Sequence, residues 1–333
     1  MKNGTPLLAV CLTVVFGCQL TAQVDRGDLV ISERTVKTSD GTSIEAEFGE
    51  LQVPENRDNP DSSLIKLAFV RLKSTAAEPK TPVIYLAGGP GGSSTHLARN
   101  RGALQSRLPL LAVCDLILLD QRGTGRSEPD LDFPIPGELP DDLLVERQRT
   151  IEYAIPFAKQ ARQHFVDQGR DLNGYTTKQA AHDIDDLRKA LGLEKVSLFG
   201  FSYGTHLALA TIKYHETSLE NVVMAGVEDL DMTYKLPLNM DTQFRKLSNM
   251  VARDQRVARF VPDLVELYQR VAKKLARQPM TVTVRGPKGN SIDVQIGHWG
   301  LDMILRRDLG DASDLPVFPR LLYSIDQGDN CLL

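Results

Sequence analysis

The sequence predicts an α/β fold, in which helices cover both faces of a mostly parallel sheet. Apolar runs at residues 83–86 and 116–119 are typical of strands that are buried on both sides. Further apolar runs at 196–199 and 222–225 flank a helix-forming stretch. Strands that alternate with helices favour a parallel sheet, because each helix returns the chain to the same edge.

The composition is that of a globular protein with a large core. The chain has 333 residues, of which 42% are hydrophobic and 25% are charged. Its formal net charge is -4, which gives no polycationic footprint of the kind that nucleic-acid binding favours. We therefore expect no nucleic-acid partner.

Residues 1–22 are expected to form a signal peptide. Lys2 precedes an apolar run at 6–16, and small and polar residues lead to Ala22. The run is too short to span a bilayer. Two alternatives stay open: lipidation at Cys18, which would tether the chain to a membrane, and an N-terminal core helix. We expect export to the periplasm or beyond.

The cysteines do not indicate a disulfide framework. Cys11 and Cys18 lie in the leader, which leaves Cys114 in a predicted strand and Cys331 near the end of the chain. The simpler interpretation is a buried free thiol at Cys114, and a bridge between the two in an oxidising compartment is the alternative.

The first strands are expected to be an antiparallel pair. Apolar residues alternate from Ile44 to Phe48, and the alternation changes phase after Gly49, which predicts a β-bulge at that glycine. Residues 65–69 alternate as well and supply the partner strand. Residues 95–110 are compatible with a helix, whereas 128–174 show little periodicity and are expected to cross the sheet edge as an excursion.

A helix is predicted from Thr176 to Leu191, with Gly192 as its stop. After Gly226 the pattern changes to amphipathic helices that are interrupted by a hairpin at 281–296. We divide the chain into a leader at 1–22, a core at 23–230 and a mainly helical cap at 231–333.

Ser202 is the candidate nucleophile. It is the central residue of a G-x-S-x-G motif that follows a predicted strand and precedes a helix. A serine on such a sharp turn exposes its hydroxyl above the sheet. The alternative is a structural serine in a tight turn.

A glycine loop at 88–93 supplies a candidate oxyanion hole. Acyl transfer needs N–H groups that are aimed at the developing oxyanion, and a glycine loop at a strand end presents them without obstruction. We assign one donor to the Gly89 amide and the second to the Tyr203 amide. Phosphate binding is disfavoured, because the loop contains a proline and no Gly-Lys-Ser/Thr follows.

The segment at 120–127, DQRGTGRS, ends another predicted strand. We expect Asp120 and Arg122 to brace the loops near the oxyanion hole, with direct substrate contact as the alternative.

Three segments together, LAGGPGGSS, DQRGTGRS and GFSYGTHLA, resemble the prolyl iminopeptidase and tripeptidyl aminopeptidase family of α/β-hydrolase serine peptidases. The resemblance covers residues 41–231. Ala87 departs from the histidine that is usual in the iminopeptidases, and the longer glycine loop is more similar to the tripeptidyl branch. The resemblance implies an α/β-hydrolase fold with a helical cap, a Ser, Asp, His triad, and hydrolysis at the N-terminal end of peptides without metal or cofactor.

The same resemblance places the triad Asp and His after the cap. Only His206, His215 and His298 follow Ser202. We expect the first two to be structural, which leaves His298 as the open candidate for a base. We expect a C-terminally truncated member of this family, which lacks the last part of the core and has lost most of its catalytic activity.

Glu228 and Asp229 are the candidate substrate-binding residues. They follow the apolar run at 222–225 where the cap begins, and a carboxylate is the natural partner of a peptide α-ammonium. The alternative is ordinary loop charge at a domain junction. For the whole chain, an esterase or lactone hydrolase and a non-catalytic peptide-binding fold stay open beside the aminopeptidase.

Overall fold

The computed structural model describes residues 27–135, 137–231, 236–286, 289–310 and 313–329. The predicted leader at 1–22, with Cys18, and the C-terminal Cys331 lie outside the described residues.

Seven strands form one sheet: β1 Leu29–Lys37, β2 Ser43–Pro54, β3 Leu64–Leu72, β4 Lys80–Leu86, β5 Cys114–Leu119, β6 Val196–Phe201 and β7 Leu219–Ala225. Their order is β1-β2-β3-β5-β4-β6-β7. The pairs β1–β2, β2–β3 and β3–β5 are antiparallel, whereas β5–β4, β4–β6 and β6–β7 are parallel. Consequently β2, β4, β5, β6 and β7 run in one direction, and the mostly parallel sheet is confirmed.

The described helices are α1 Arg101–Gln105, α2 Leu108–Leu111, α3 Arg147–Asp167, α4 Thr177–Ala190, α5 Tyr203–His215, α6 Pro237–Arg253, α7 Gln255–Ala258, α8 Leu264–Arg277, α9 His298–Asp308 and α10 Val317–Asp326. One face of the sheet packs on α4 and α5, and the other packs on α1 and α2. Helices therefore cover both faces, as the sequence predicts. The Thr176 hydroxyl caps α4 by accepting from the Gln179 amide.

The predicted bulge at Gly49 is wrong. β2 keeps an uninterrupted register with both of its neighbours through Gly49. The apolar phase changes because the strand serves two cores: Ile44 packs on one face of the sheet, whereas Leu51 packs on the other. Gly49 is required for a different reason, since a side chain there would lie 2.1 Å from the Phe69 ring on the paired strand.

The stretch expected to be an excursion contains a long helix. α3 has 21 residues, of which only Phe165 is buried. Because almost all of its surface is exposed, the sequence carries little helical periodicity, and the prediction missed it. The exposed edge strand β1 was missed for the same reason.

The predicted cap has its own apolar core, which is built from α6, α8, α9 and α10. The hairpin within it is confirmed as β8 Met280–Arg285 and β9 Ser291–Ile296. Residues 144–150, which include the start of α3, also contact this unit. Leu144 forms a β-bridge with Ile296, and the Trp299 indole donates to the Thr150 hydroxyl (3.0 Å). The boundary after residue 230 stays a prediction.

Cys114 is buried and unbridged, in agreement with the simpler interpretation of the cysteines. Burial, together with the charge of Asp115, raises the pKa of its thiol. Within the described ranges, none of the helices combines the length and the apolar character that a membrane crossing needs.

Candidate active site

Ser202 lies on a strained turn between β6 and α5. Its φ of 52° is in the left-handed region, which residues other than glycine seldom occupy. The two motif glycines make this turn possible. A methyl group at Gly200 would lie 2.5 Å from the Gly204 carbonyl oxygen, and one at Gly204 would lie 2.0 Å from that of Leu86. The G-x-S-x-G spacing is therefore a steric requirement of the turn.

Backbone hydrogen bonds hold the strained residue in place. The Ser202 amide donates to the Ala225 carbonyl on β7 (2.9 Å). Its own carbonyl accepts from the Thr205 amide (2.8 Å) and from the Thr205 hydroxyl (2.7 Å). Strain of this kind persists only where the surroundings over-determine the conformation.

The glycine loop after β4 lies directly against Ser202. A methyl group at Gly88 would come within 3.0 Å of both the Phe201 carbonyl oxygen and the Ser202 side chain. Gly89 follows at φ 125°, and the Gly92 amide closes the turn on the Gly88 carbonyl (3.1 Å). The contact places Gly88, which directly precedes the proposed donor Gly89, beside Ser202 and the start of α5.

Tyr203 is the first residue of α5, where amides have no intrahelical partner and the helix dipole favours an anion. Its phenol is tied to α4 by a 3.0 Å hydrogen bond with the Thr177 hydroxyl. The assignment of the Gly89 and Tyr203 amides as oxyanion donors stays a prediction that this geometry accommodates.

Asp120 braces the glycine loop. It is fully buried, and its carboxylate accepts from the Thr95 amide (2.9 Å), the Thr95 hydroxyl (2.6 Å), the Ser93 hydroxyl (3.0 Å) and the Arg126 amide (2.9 Å). A buried carboxylate that accepts several hydrogen bonds links the segments that supply them. The expected structural role of Asp120 is confirmed.

Arg122 braces a different place. Its guanidinium binds the Asp183 carboxylate through two nitrogens (2.6 and 2.7 Å) and donates to the carbonyls of Glu55 and Gly174 (2.5 and 2.7 Å). These groups join the end of β2 to α4. The expectation that Arg122 supports the oxyanion loops is therefore wrong, because the side chain extends away from that loop into the packing of β2 on α4.

Glu228 lies beside the candidate nucleophile. The Ser202 hydroxyl donates to a Glu228 carboxylate oxygen at 3.3 Å. The Glu228 amide donates to the Thr205 hydroxyl oxygen (2.8 Å). Asp229 is exposed, and its carbonyl lies 2.7 Å from Nδ1 of His206.

The histidines of α5 are engaged elsewhere. His206 binds the Asp229 carbonyl and stacks on the Tyr203 ring at 5.5 Å. His215, at the other end of α5, contacts His182 (2.8 Å) and Asp185 (3.4 Å). Among the described residues, no histidine lies within hydrogen-bonding distance of the Ser202 hydroxyl, and His298 begins α9 in the cap.

Thr205 is the contact residue that the sequence analysis missed. It is fully buried and joins the nucleophile turn to Glu228. A threonine in the first turn of a helix usually bonds to a nearby backbone group, so its sequence context carries no signal of a longer-range role.

A strained serine at a strand-to-helix turn, faced by a glycine loop, is the arrangement expected at the nucleophile of a serine hydrolase. The chain belongs to the alpha/beta hydrolase fold family, whose profile matches residues 81–288. In the described part of the chain, no cluster of three or more His, Cys, Asp or Glu side chains is arranged to hold a metal ion.

Curated relatives carry peptidase names. The chain is 31% identical over 176 residues to a tripeptidyl aminopeptidase of Streptomyces lividans, a match that covers 48% of this chain and 31% of the relative. It is 29% identical over 238 residues to the serine protease Hip1 of Mycobacterium bovis, covering 67% of this chain and 44% of the relative. A proline iminopeptidase of Xylella fastidiosa is 27% identical over 146 residues, with 44% and 32% covered.

The match to these relatives confirms the resemblance to an α/β-hydrolase peptidase family that the three sequence motifs indicate. The chain spans less than half of the length of each of these relatives.

Proposed function

We propose that this chain carries the nucleophile and oxyanion hole of an exported serine hydrolase that cleaves N-terminal residues or short peptides from peptide substrates. The single observation that carries the proposal is Ser202. Its strained turn is packed against the Gly88 loop, and its hydroxyl faces a carboxylate.

In the proposed reaction the Ser202 oxygen attacks the scissile carbonyl. As the carbon–oxygen bond forms, the carbonyl oxygen becomes an oxyanion that accepts from the amides of Gly89 and Tyr203. Each donor of this kind contributes roughly two to three orders of magnitude in rate. The bond between the carbonyl carbon and the amide nitrogen then breaks, and the amine leaves with the proton that Ser202 has lost. Water adds to the acyl-enzyme, releases the N-terminal product as its acid and returns a proton to Ser202.

The proposed substrate specificity rests on Glu228 and Asp229. The α-nitrogen of an N-terminal residue is two bonds from its carbonyl carbon, or about 2.5 Å. When one residue is released, a carboxylate 3.3 Å from the Ser202 hydroxyl is therefore within reach of the α-ammonium as that carbonyl approaches the serine. The exposed Asp229 adds negative charge to the same loop.

We further propose that this chain turns over slowly. Among the described residues, Ser202 has no histidine partner to take its proton. An oxyanion hole and binding alone accelerate the reaction roughly a thousandfold to ten-thousandfold over water.

We also propose that the chain is exported through residues 1–22 and is attached to a membrane only if Cys18 is lipidated. We propose no nucleic-acid partner.

Fluorophosphonate labelling, followed by intact mass, tests the nucleophile. We expect one adduct that forms over hours and is lost in Ser202→Ala. Rapid labelling would show that a base acts within these residues, and Ala substitution at His298 would then be the next variant. No adduct in a chain whose circular dichroism shows it to be folded would favour the non-catalytic fold.

Substrate class is tested with three compounds that share one acyl group: an amino-acyl anilide, its N-acylated form and a nitrophenyl ester. An aminopeptidase prefers the free amine. A preference for the ester that ignores the amine would favour the esterase or lactone hydrolase.

A further inference from the structure

The loop that carries Glu228 is held at two successive residues by the first turn of α5. We call residues 226–231 the acid loop. Its Glu228 amide donates to the Thr205 hydroxyl oxygen (2.8 Å), and its Asp229 carbonyl lies 2.7 Å from Nδ1 of His206. The acid loop is therefore tied to the helix that begins at the nucleophile.

The direction of each hydrogen bond is determined by its groups. The Thr205 hydroxyl has one hydrogen, which it donates to the Ser202 carbonyl (2.7 Å), so its oxygen is left to accept from Glu228. A carbonyl only accepts, so Nδ1 of His206 carries the proton in this bond. Both charge states of the imidazole can make it.

We propose that Thr205 and His206 are positioning residues, which hold the acid loop so that the Glu228 carboxylate lies beside Ser202 and meets the α-ammonium of the substrate. This inference rests on the proposed function, because it assigns a cause to the free-amine preference proposed there. Neither side chain touches the reacting atoms. Each acts by placing Glu228.

The acid loop needs such a restraint. It starts at Gly226 with φ 68°, a conformation that glycine adopts freely. Glu228 itself is half-buried, and its described carboxylate contact is the single 3.3 Å bond from Ser202. A shift of about 1 Å in the acid loop would break that bond, since hydrogen bonds weaken steeply beyond 3.5 Å.

Thr205→Val removes the hydroxyl and keeps the shape, and Thr205→Ser restores the hydroxyl. Thr211→Val is the matched control, because Thr211 is equally buried on α5 and donates its hydroxyl to the Leu207 carbonyl (2.8 Å), away from the acid loop. His206→Phe keeps a ring against Tyr203 and removes the donor.

Binding of trialanine and of N-acetyl-trialanine is measured by calorimetry on the full chain. We expect the unmodified chain and Thr211→Val to bind trialanine roughly tenfold more tightly than its acetylated form. Thr205→Val should bring the ratio to within about twofold while the affinity for the acetylated peptide is kept, and Thr205→Ser should restore the ratio. His206→Phe should lower it severalfold.

The proposal is overturned if the unmodified chain shows no preference, or if Thr205→Val and Thr211→Val behave alike. It is also overturned if Thr205→Val weakens both peptides equally, which a merely structural role would do. If Thr205→Val does not fold, His206→Phe decides the matter: a ratio equal to that of the unmodified chain would overturn the proposal.

Labelling of Ser202 separates this result from the proposed function. Labelling without a peptide preference leaves the hydrolase and removes the positioning role. A preference that depends on Thr205, without labelling, keeps the positioning role and removes the hydrolase.

Discussion

Around Ser202, backbone atoms set the shape of the molecule: glycines lie where any side chain would meet a carbonyl oxygen, and a backbone hydrogen bond ties Ser202 to the end of β7. In the cap, apolar side chains set the shape, and Phe318, Leu322 and Val271 are fully buried among helices. Steric contact with the backbone permits almost no substitution, whereas apolar packing accepts many sequences of similar volume. The nucleophile site is therefore visible as a motif, and the cap is visible only as amphipathic periodicity.

The largest effect is expected from Gly204→Ala in the backbone-determined region. Its methyl group would lie 2.0 Å from the Leu86 carbonyl oxygen, and neither backbone can yield without moving β4 or α5. We expect a loss of about 4 kcal/mol or more in the free energy of unfolding, or failure to fold. Urea denaturation measures it.

Gly102→Ala in α1 is the control, because a methyl group there has its nearest neighbour at 3.5 Å. Its stability should be unchanged or slightly higher. If Gly204→Ala matched this control, the steric account of the turn would be wrong.

Phe318→Ala tests the cap. Phe318 is fully buried between Phe244 and the surrounding helices, so its removal should cost about 3–5 kcal/mol. Leu238→Ala, at a side chain that is 70% exposed, should change stability by less than about 0.5 kcal/mol. Thermal denaturation compares them.

The cap variant also sharpens the contrast between the regions. Fluorophosphonate labelling of Ser202 in folded Phe318→Ala should keep its rate within a few-fold. A loss of labelling as large as that of Ser202→Ala would mean that the cap, too, shapes the nucleophile.

Asp120→Asn is expected to have an intermediate effect on the free energy of unfolding and a large effect on the rate of Ser202 labelling. The amide presents a donor where the carboxylate accepts from Thr95, Ser93 and Arg126, which should cost about 2–3 kcal/mol. The glycine loop should loosen, and Ser202 labelling should slow by at least tenfold. Asp130→Asn, on an exposed carboxylate, should leave both measurements unchanged, and equal effects in the two variants would contradict the bracing role.

The smallest effect is expected at Asp185, far from the nucleophile. Burial alone would raise the pKa of its carboxyl group, but hydrogen bonds from Lys189, Arg188 and Ser218 outweigh burial and lower the pKa from 3.8 to about 2. A lowered pKa stabilises the folded state above the unfolded pKa, so this contribution is complete above pH 4 and is lost as the pH falls towards 2.

Asp185→Asn should therefore be less stable than the unmodified chain by about 1 kcal/mol or less at pH 6, with the difference shrinking below pH 4. Urea denaturation of both chains at pH 6 and below pH 4 measures the difference in the free energy of unfolding. A difference that stays constant with pH would show that the carboxylate charge is not the cause.

The extent to which the fold was predictable follows burial. The strands β4, β5 and β6 and the helix α4 were found because their apolar patterns reflect packing in the core, whereas β7 was found from an apolar run although none of its residues is fully buried. α3 and β1 were missed because their surfaces are mostly exposed, and the change of phase at Gly49 was misassigned because one strand packs on both cores.

The site divides in the same way. Ser202 and the glycine loop could be identified because local backbone geometry demands those residues within a few positions of one another. The Arg122 contacts with Glu55 and Asp183, and the Thr205 bond to Glu228, join residues that are 67, 61 and 23 positions apart. No local pattern encodes such pairs.

The sequence by itself determined the alternation of strands and helices, the nucleophile turn and the glycine loop, because each depends on contacts within a short segment. Only the tertiary structure decided which face each half of β2 serves, which loops Asp120 and Arg122 brace, and which carboxylate meets Ser202. These depend on where distant segments pack, and that is set by the whole sheet.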